Sequence, residues 1–350
     1  MTETTRMGLD LAKTIFQVHG VDAQEQVTIR RSFRRDQLRR WFEQLPPCLV
    51  GMEACATAHY WARELTRLGH TVRLIPPAYV KAYVRRNKND AADAAAICEA
   101  VSRPSMRFVP AKTEAQQAVA GLHRVREQLI RQRTATMNSL RGLLAEFGLL
   151  APKGMTGMNA LIAAVEDPEE TRIPDPLRPA LRAYVAVLAT LKAELDRIDT
   201  ALTAAARENQ AVRRLMAIPG YGVITASAVV ARVPDPSIFD SARHFSASLG
   251  IVPRQEGTGG RVRLGPISKR GDGYLRRLLV NGAMAVLRSP AAKRDPWLVK
   301  LLEHKPLKVV AVALANKMAR IGWAMLTHGR DYRPRPTTPA TTAPAGAAVA

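Results

Sequence analysis

The chain has 350 residues, which is more than one compact core usually holds, so a single small binding module is excluded. Hydrophobic residues make up 47% of the sequence and charged residues 23%, a balance that excludes a chain disordered throughout. The 52 Lys and Arg residues outnumber the 30 Asp and Glu residues, and the formal charge of +22 favours nucleic acid as a partner.

The sequence carries no clear targeting or redox signal. The N-terminus lacks a basic segment followed by an apolar one, so we expect no signal peptide. No uninterrupted apolar stretch approaches the roughly 18 to 20 residues that span a bilayer, so we expect a cytoplasmic protein with no membrane partner. Cys48, Cys55 and Cys98 show neither CxxC pairing nor zinc-site spacing, and we interpret them as buried small hydrophobic residues.

The region 1–110 predicts an α/β domain. Short apolar runs alternate with amphipathic stretches that end near Gly or Pro, which is typical of a sheet with helical crossovers that opens with an antiparallel hairpin. The predicted strands lie at 7–11, 15–21, 27–29, 49–52 and 72–75.

Four acids in this domain stand where they can meet. Asp10 and Glu53 end two buried apolar runs, while Asp90 and Asp93 lie three residues apart and share one face of a predicted helix. Four carboxylates at one point would repel one another unless divalent cations held them, and a pair of Mg²⁺ ions about 4 Å apart is typical of phosphodiester chemistry. The pattern therefore permits a magnesium-dependent nuclease.

Each acid also has a simpler interpretation. A carboxylate at a strand end is usually a solvated turn residue, and an acidic pair on a helix is usually surface charge. The neighbourhood favours the metal site, because Arg85, Arg86 and Lys88 directly precede the helical pair and are placed to hold a phosphate backbone.

The region 111–210 predicts two long helices. The first is basic and carries four arginines that we interpret as nucleic-acid contacts, namely Arg124, Arg126, Arg131 and Arg133. The second repeats apolar residues at spacings of three and four, the seam of a coiled coil. Pairing within one chain and pairing between two chains are both consistent with this pattern.

The region 211–330 predicts a mostly helical second domain, and 331–350 a disordered tail rich in Pro, Thr and Ala. Gly220 and Gly222 lie in an apolar turn between helical stretches, a pattern typical of a helix-hairpin-helix whose backbone amides approach a phosphate. An ordinary tight helix-helix turn is the alternative.

Downstream of this turn, a Gly-rich segment concentrates positive charge. A loop of this composition is suited to wrap a polyanion. The cations that we interpret as nucleic-acid contacts are Arg254, Arg261, Arg263, Lys269, Arg270, Arg276 and Arg277.

These motifs together resemble a known family. GLDLAK, GMEACATAHYWARELTRLGH and NKNDAADAAAICEA resemble the N-terminal half of the DEDD-type insertion-sequence transposases, the one-ten family related to the Piv DNA invertase. The PRQEGTGGRVRLGPISKRGD segment and the LRRLLVNGA run resemble that family's second domain. The motifs occur in the family's order and cover nearly the whole chain apart from the tail.

The resemblance implies an α/β plus α fold. Its N-terminal domain would be RNase H-like, similar to the RuvC Holliday-junction resolvase, followed by coiled-coil helices and a helical transposase domain. Asp10, Glu53, Asp90 and Asp93 would take the four metal-binding positions. Thr258 falls where the family carries a serine nucleophile, so either it replaces that serine or this copy is impaired. Ser268 is a third source of a hydroxyl, although its other role is to cap a helix.

The resemblance also implies partners. They are donor and target DNA, a noncoding bridge RNA that pairs with both, and a second chain in a homodimer or homotetramer, all in the nucleoid of a bacterial cytoplasm. Two other functions stay open: a junction-resolving endonuclease in which water replaces Thr258, and a decayed nucleic-acid-binding protein that does not depend on Mg²⁺.

Overall fold

The computed structural model describes residues 3–83 and 89–334, and these residues form two compact units. The first unit comprises Met1–Gln117 and Val233–Asp240, and the second comprises Ala118–Arg232 and Ser241–Ala350. The predicted helical region and the predicted second domain thus fall largely within one unit.

A five-stranded sheet organises the first unit. Its strands are β1 (Arg6–Asp10), β2 (Ile15–Val21), β3 (Val27–Arg34), β4 (Leu49–Glu53) and β5 (Thr71–Ile75). They lie in the order β3-β2-β1-β4-β5, with β1 antiparallel to β2, β2 antiparallel to β3, and β4 parallel to both β1 and β5. The five predicted strands are confirmed, and β3 extends beyond its predicted end at residue 29 as far as Arg34.

Helices cover both faces of this sheet. They are α1 (Arg35–Phe42), α2 (Ala58–Arg67), α3 (Pro77–Val80) and α4 (Asp90–Val101). Alternate strand residues such as Leu9 and Phe16 are buried with Leu38 and Trp61 of α1 and α2, because successive side chains on a strand point to opposite faces. The other face of the sheet packs against α4, whose Ile97 and Val101 are fully buried.

The second unit is mostly helical. Its helices are α5 (Glu114–Ala145), which begins in the first unit, α6 (Met155–Glu166), α7 (Arg178–Glu208), α8 (Gln210–Leu215), α9 (Val223–Arg232), α10 (Ala242–Ser248), α11 (Gly273–Arg288), α12 (Pro296–His304) and α13 (Leu307–His328). A separate two-stranded sheet joins β6 (Pro253–Thr258) and β7 (Arg261–Ile267).

The apolar repeat of α7 is covered by its own chain. Leu181 and Leu188 belong to a buried cluster with Leu140 and Leu144 of α5 and Leu161 of α6. Burial of this part of the repeat therefore does not require a second chain.

One helix has the length and composition of a membrane span. Leu307–His328 meets that criterion, and half of its most apolar window is buried inside the protein. Core helices of water-soluble proteins share these properties, so the helix by itself is weak evidence for a membrane.

Candidate active site

The acids Asp10 and Glu53 end two adjacent parallel strands. Strand β1 pairs with β4 from Arg6 opposite Leu49 to Leu9 opposite Met52, one residue before each acid. Parallel strands carry their carboxyl ends to one edge of a sheet, so this register brings the two acids to the same edge. The sequence-based expectation that Asp10 and Glu53 share one sheet edge is confirmed.

Two glycines let α4 lie directly on these strands. A Cβ added to Gly8 would lie 2.1 Å from the carbonyl oxygen of Ala94 and 2.4 Å from the backbone nitrogen of Cys98. On β4, a Cβ added to Gly51 would lie 2.7 Å from Cβ of Val101. Each glycine precedes its acid by two residues and therefore faces the same side of the sheet, so the contact brings α4 to the acids.

The first turn of α4 supplies the other two acids. Helix α4 begins at Asp90 because the side chain of Asn89 caps it, accepting a hydrogen bond from the backbone N–H of Ala92 at 2.7 Å. Asp90 and Asp93 both lie in this first turn, where the partial positive charge of the helix N-terminus favours carboxylates.

Three of the four acids converge. One carboxylate oxygen from each of Asp10, Asp90 and Asp93 lies within 4.8 Å of the others. Glu53 lies outside this trio, but its charge and that of Asp10 both act on the nearby Cys55: burial chiefly raises the pKa of that thiol, and Glu53 and Asp10 raise it further. Clustered carboxylate oxygens are the ligands that Mg²⁺ prefers, so the donor set fits a hard divalent cation.

The histidine nearest to these acids in the sequence does not join them. The His59 ring accepts a hydrogen bond from the Lys112 backbone N–H at 3.2 Å, and its Nε2 lies 2.9 Å from the Lys112 ammonium. Burial and the neighbouring Lys112 and Arg63 charges lower the pKa of His59 to about 4, so this ring is neutral near pH 7. Arg85, Arg86 and Lys88 lie outside the described residues.

Thr258 lies at the end of β6, in a hairpin that the sequence suggested as a Gly-rich loop. The hairpin forms because Gly259 and Gly260, its two turn residues, both have positive φ, as the tight turn between twisted strands requires. Thr258 pairs with Arg261 across the turn, and every residue of β6 is exposed. The sequence signal for this hairpin is the Gly-Gly pair, which is followed by alternating charged and apolar residues at 261–264.

The Arg and Lys residues that the sequence predicted as nucleic-acid contacts differ in their surroundings: some are exposed, and others are bound by protein groups. Arg254, Arg261 and Arg263 are exposed on the hairpin strands, and Lys269, Arg270 and Arg124 are exposed elsewhere in the second unit. Several others bind protein groups: Arg126 pairs with Asp199, Arg131 and Arg277 pair with Glu127, and Arg276 donates to the Leu249 carbonyl. Arg133 is half-buried.

The predicted helix-hairpin-helix glycines have different surroundings. Gly220 has a φ of +88°, and a Cβ there would lie 2.7 Å from the methyl carbon of Met318 and 2.9 Å from the carbonyl oxygen of Gly282. Gly220 therefore packs helices together, whereas Gly222 has open space around its Cα. Asp272 caps α11 by accepting from the N–H groups of Tyr274 and Leu275, whereas Ser268, the cap that the sequence suggested, accepts from the Arg270 backbone N–H at 3.4 Å.

A buried polar network that the sequence did not reveal ties the second unit together. The Ser227 hydroxyl donates to the Val223 carbonyl at 2.6 Å, so His123 Nε2–H donates to the Ser227 oxygen at 3.1 Å and His123 Nδ1 accepts from the Tyr274 hydroxyl at 3.0 Å. Burial, with help from the Arg232 and Arg126 charges, lowers the pKa of His123 to about 4.

Comparison with known proteins agrees with this geometry. Residues 7–148 match a DEDD transposase family model, and residues 212–297 match the model described as "Transposase IS116/IS110/IS902 family". The chain is 54% identical over 334 residues, 94% of its length and 99% of the relative, to a probable family 20 transposase of Pseudomonas aeruginosa. It is 42% identical to a Yersinia enterocolitica transposase for insertion sequence element IS1328, covering 95% and 99% of the two chains. It is 29% identical to a pilin gene-inverting protein of Moraxella bovis over 36% of its length and 40% of that protein.

Proposed function

This chain belongs to the IS116/IS110/IS902 family of transposases, enzymes that cut and rejoin DNA, and from that premise we propose how its residues divide the reaction. Asp10, Glu53, Asp90 and Asp93, here called the acid site, hold two Mg²⁺ ions. Thr258 supplies the hydroxyl that breaks the DNA strand. The element that encodes the chain is the DNA that it moves.

The convergence of carboxylate oxygens from Asp10, Asp90 and Asp93 within 4.8 Å carries this proposal. Three negative charges this close repel one another, and a divalent cation bound by their oxygens removes that repulsion. Bound ions would supply Lewis-acid polarisation of the scissile phosphate. The four acids would hold these ions in place relative to the phosphate, because the close contact of α4 with β1 at Gly8 fixes the positions of Asp10, Asp90 and Asp93.

Thr258 acts as the nucleophile in two balanced steps. Its Oγ forms a bond to phosphorus while the phosphodiester P–O bond breaks, its proton leaves to a base, and the departing DNA oxygen takes up a proton. The hydroxyl of a second DNA end then displaces Oγ, which regains a proton, so the number of phosphodiester bonds is conserved and no external energy source is needed. The exposure of β6 supports access of Thr258 to a DNA strand.

The wider architecture is part of the same proposal. The strand order β3-β2-β1-β4-β5, with an antiparallel β1-β2-β3 meander and parallel β4 and β5, supports an RNase H-like, RuvC-like catalytic domain at 1–110. A helical region at 111–210 and a transposase domain at 211–330 complete the chain before the tail. The +22 charge supports binding of donor DNA, target DNA and a bridge RNA by a dimer or tetramer in the cytoplasm, on the nucleoid.

The proposal is tested by excision of the parent element in cells, scored as its circular junction product. We expect junctions from the wild type and from Thr258→Ser, and none from Asp10→Ala or Thr258→Ala. The Thr258→Ser variant is the matched control because it keeps a hydroxyl at the same backbone position. Loss of excision in Thr258→Ser as well as Thr258→Ala, with wild type active, would contradict a simple hydroxyl role.

The replacement of the family's serine by Thr258 favours a second candidate, a junction-resolving nuclease with water as nucleophile. That enzyme would still cut DNA as Thr258→Ala, would lose cutting as Asp10→Ala, and would leave no covalent protein–DNA adduct. If neither wild type nor Thr258→Ser excises DNA, the decayed nucleic-acid-binding protein is the better description. Junctions that depend on Thr258 exclude both.

A further inference from the structure

A row of polar side chains crosses the sheet at the level of the acid site. Asp10 pairs with Gln17 of β2, and Gln17 pairs with Ser32 of β3. Residues directly opposite each other on paired strands point to the same face, so these three side chains share the face on which α4 packs. The Ser32 hydroxyl lies 2.9 Å from Gln17 Oε1, which continues the row to the sheet edge.

Strand β3 is an edge strand, and its residues on this face are cationic. Arg30 and Arg34 flank Ser32 at two-residue spacing, opposite His19 and Ile15 of β2. Arg30, Ser32 and Arg34, here called the β3 stripe, are all exposed. The pKa of His19 is lowered chiefly by burial and then by the Arg30 charge, which agrees with Arg30 lying on this face.

The cations of the β3 stripe are available to a ligand. Among the residues that the structure describes, no ion pair engages Arg30 or Arg34, whereas Arg39 of the neighbouring α1 pairs with Glu43 and Glu64. The two guanidinium groups of the β3 stripe match phosphate oxygens in charge and geometry.

We propose that the β3 stripe binds the backbone phosphates of the DNA strand whose scissile phosphate lies at the acid site. This inference rests on the proposed function, because it takes a DNA strand at the acids as its starting point. Strand β3 lies two strand spacings from β1, about 10 Å, which corresponds to about three nucleotides of rise along one DNA strand. A strand held at the acids is therefore within reach of Arg30 and Arg34 a few nucleotides away.

The opposite face of the same strand offers a matched control. Arg31 pairs with Val18, a core residue, and its guanidinium lies 5.0 Å from the centre of the Phe33 ring on the face away from the acids. Arg40 is exposed on α1, which packs on that same opposite face. Arg31→Gln/Arg40→Gln therefore removes the same charge as Arg30→Gln/Arg34→Gln without touching the β3 stripe.

The test measures binding of the full-length protein to a fluorescent duplex of the element end. Fluorescence anisotropy is recorded in EDTA, so that no cutting occurs, over a series of salt concentrations. We expect Arg30→Gln/Arg34→Gln to bind at least tenfold more weakly and to lower the slope of log K against log salt by about 2, one for each lost phosphate contact. The control Arg31→Gln/Arg40→Gln should stay within about twofold of its wild-type affinity, and Arg30→Lys/Arg34→Lys should retain most binding because both charges remain.

Three outcomes would overturn the inference. The affinity for DNA could fall equally in both double variants, or the salt slope of Arg30→Gln/Arg34→Gln could stay unchanged. In a parallel measurement with RNA of the same length, Arg30→Gln/Arg34→Gln could also lose affinity for the RNA but not for the DNA. Thermal unfolding of each variant checks that weakened binding comes from a folded protein. If a double Gln variant fails to fold, the single variants Arg30→Gln and Arg34→Gln replace it, and each should lower the salt slope by about 1. Failure of the proposed function would appear separately, as a wild type that yields no excision junction. A wild type that excises beside an Arg30→Gln/Arg34→Gln variant that binds normally would refute this inference alone.

Discussion

The acid site and the β6–β7 hairpin support their functional side chains in opposite ways. Asp10 ends a strand whose Gly8 is in direct contact with the backbone of α4, so its position is fixed by close packing. Thr258 ends a strand whose residues are all exposed, and a two-stranded hairpin alone is marginally stable in water. The difference teaches that packing fixes the proposed metal ligands in place, whereas no packing of this kind fixes the proposed nucleophile Thr258.

The strongest test of this contrast adds one methyl group to each region. Gly8→Ala places a Cβ 2.1 Å from the Ala94 carbonyl oxygen, and because that obstacle is backbone, α4 must move. We expect a loss of about 3 kcal/mol in the free energy of unfolding, measured by chemical denaturation, together with loss of excision.

The matched change in the hairpin is Gly257→Ala. The nearest atom to a Cβ at Gly257 is the Arg261 carbonyl oxygen at 3.4 Å, so stability should change by less than about 1 kcal/mol. Equal destabilisation by the two substitutions would show that the hairpin is packed as tightly as the acid site, and the contrast would fail.

The second test asks whether only the hairpin of the second unit is loosely packed, or whether the buried network around His123 is loosely packed as well. Unfolded His123 has a pKa near 6.5 and the folded ring has a pKa of about 4, so between these values only the unfolded chain binds the proton. Folding stability should therefore fall as pH drops from about 6.5 towards 4, by about 2 kcal/mol from this residue between pH 7 and pH 5. Thermal or chemical unfolding across this range, compared with His123→Gln, measures the effect.

The Gln variant is expected to be less stable than wild type at pH 7, because it cannot bond both Ser227 and Tyr274 in the same way, but to lose less stability on acidification. Parallel pH curves of stability for the two proteins would mean that His123 takes up a proton in the folded state about as easily as in the unfolded state. The second unit would then be loosely packed as a whole, not only at its hairpin.

The smallest expected effect is the stabilisation of the protein by Mg²⁺, which should depend on the acid site and not on the β6–β7 hairpin. Mg²⁺ at about ten times its dissociation constant should stabilise wild type by about 1.4 kcal/mol in a thermal-shift experiment that EDTA reverses. Asp93→Asn should abolish this shift, whereas Thr258→Ala should leave it intact because Thr258 is not an acid-site ligand. Asp36→Asn, an exposed acid in the first turn of α1, is the charge-matched control. A shift that survives Asp93→Asn would place the metal elsewhere.

Strand and helix patterns made much of the first unit predictable. Short apolar runs located all five strands, and the spacing of Asp90 and Asp93 correctly placed both on one helical turn. The sequence does not mark Gly8 and Gly51 as contact sites, although each precedes its acid by two residues, because the partner of a glycine is known only once the helix that packs on it is in place. The Gly259-Gly260 pair is a signal for a tight turn, but the composition of this segment predicts a loop because the strands beside the turn bury almost no apolar residues.

The remaining differences concern long-range contacts. Arg126 looked like a nucleic-acid contact on a basic helix, but it pairs with Asp199, a residue 73 positions away in the sequence. Gly220 is predicted as a phosphate contact, and the close approach of Gly282 and Met318 gives it a packing role that the sequence does not show. No local pattern reports such partners, because they are chosen by how distant helices pack.

The sequence by itself determined the periodicity of the strands and helices, the positive charge and the resemblance to the transposase family, since these depend on residue types and local spacing. Only the tertiary structure decided which acids converge, which cations are bound by protein groups, and that β3 is exposed and cationic on the face of the sheet that carries Asp10. The physical reason is that register and helix packing, both set by contacts far apart in the chain, determine which side chains share a face and a distance.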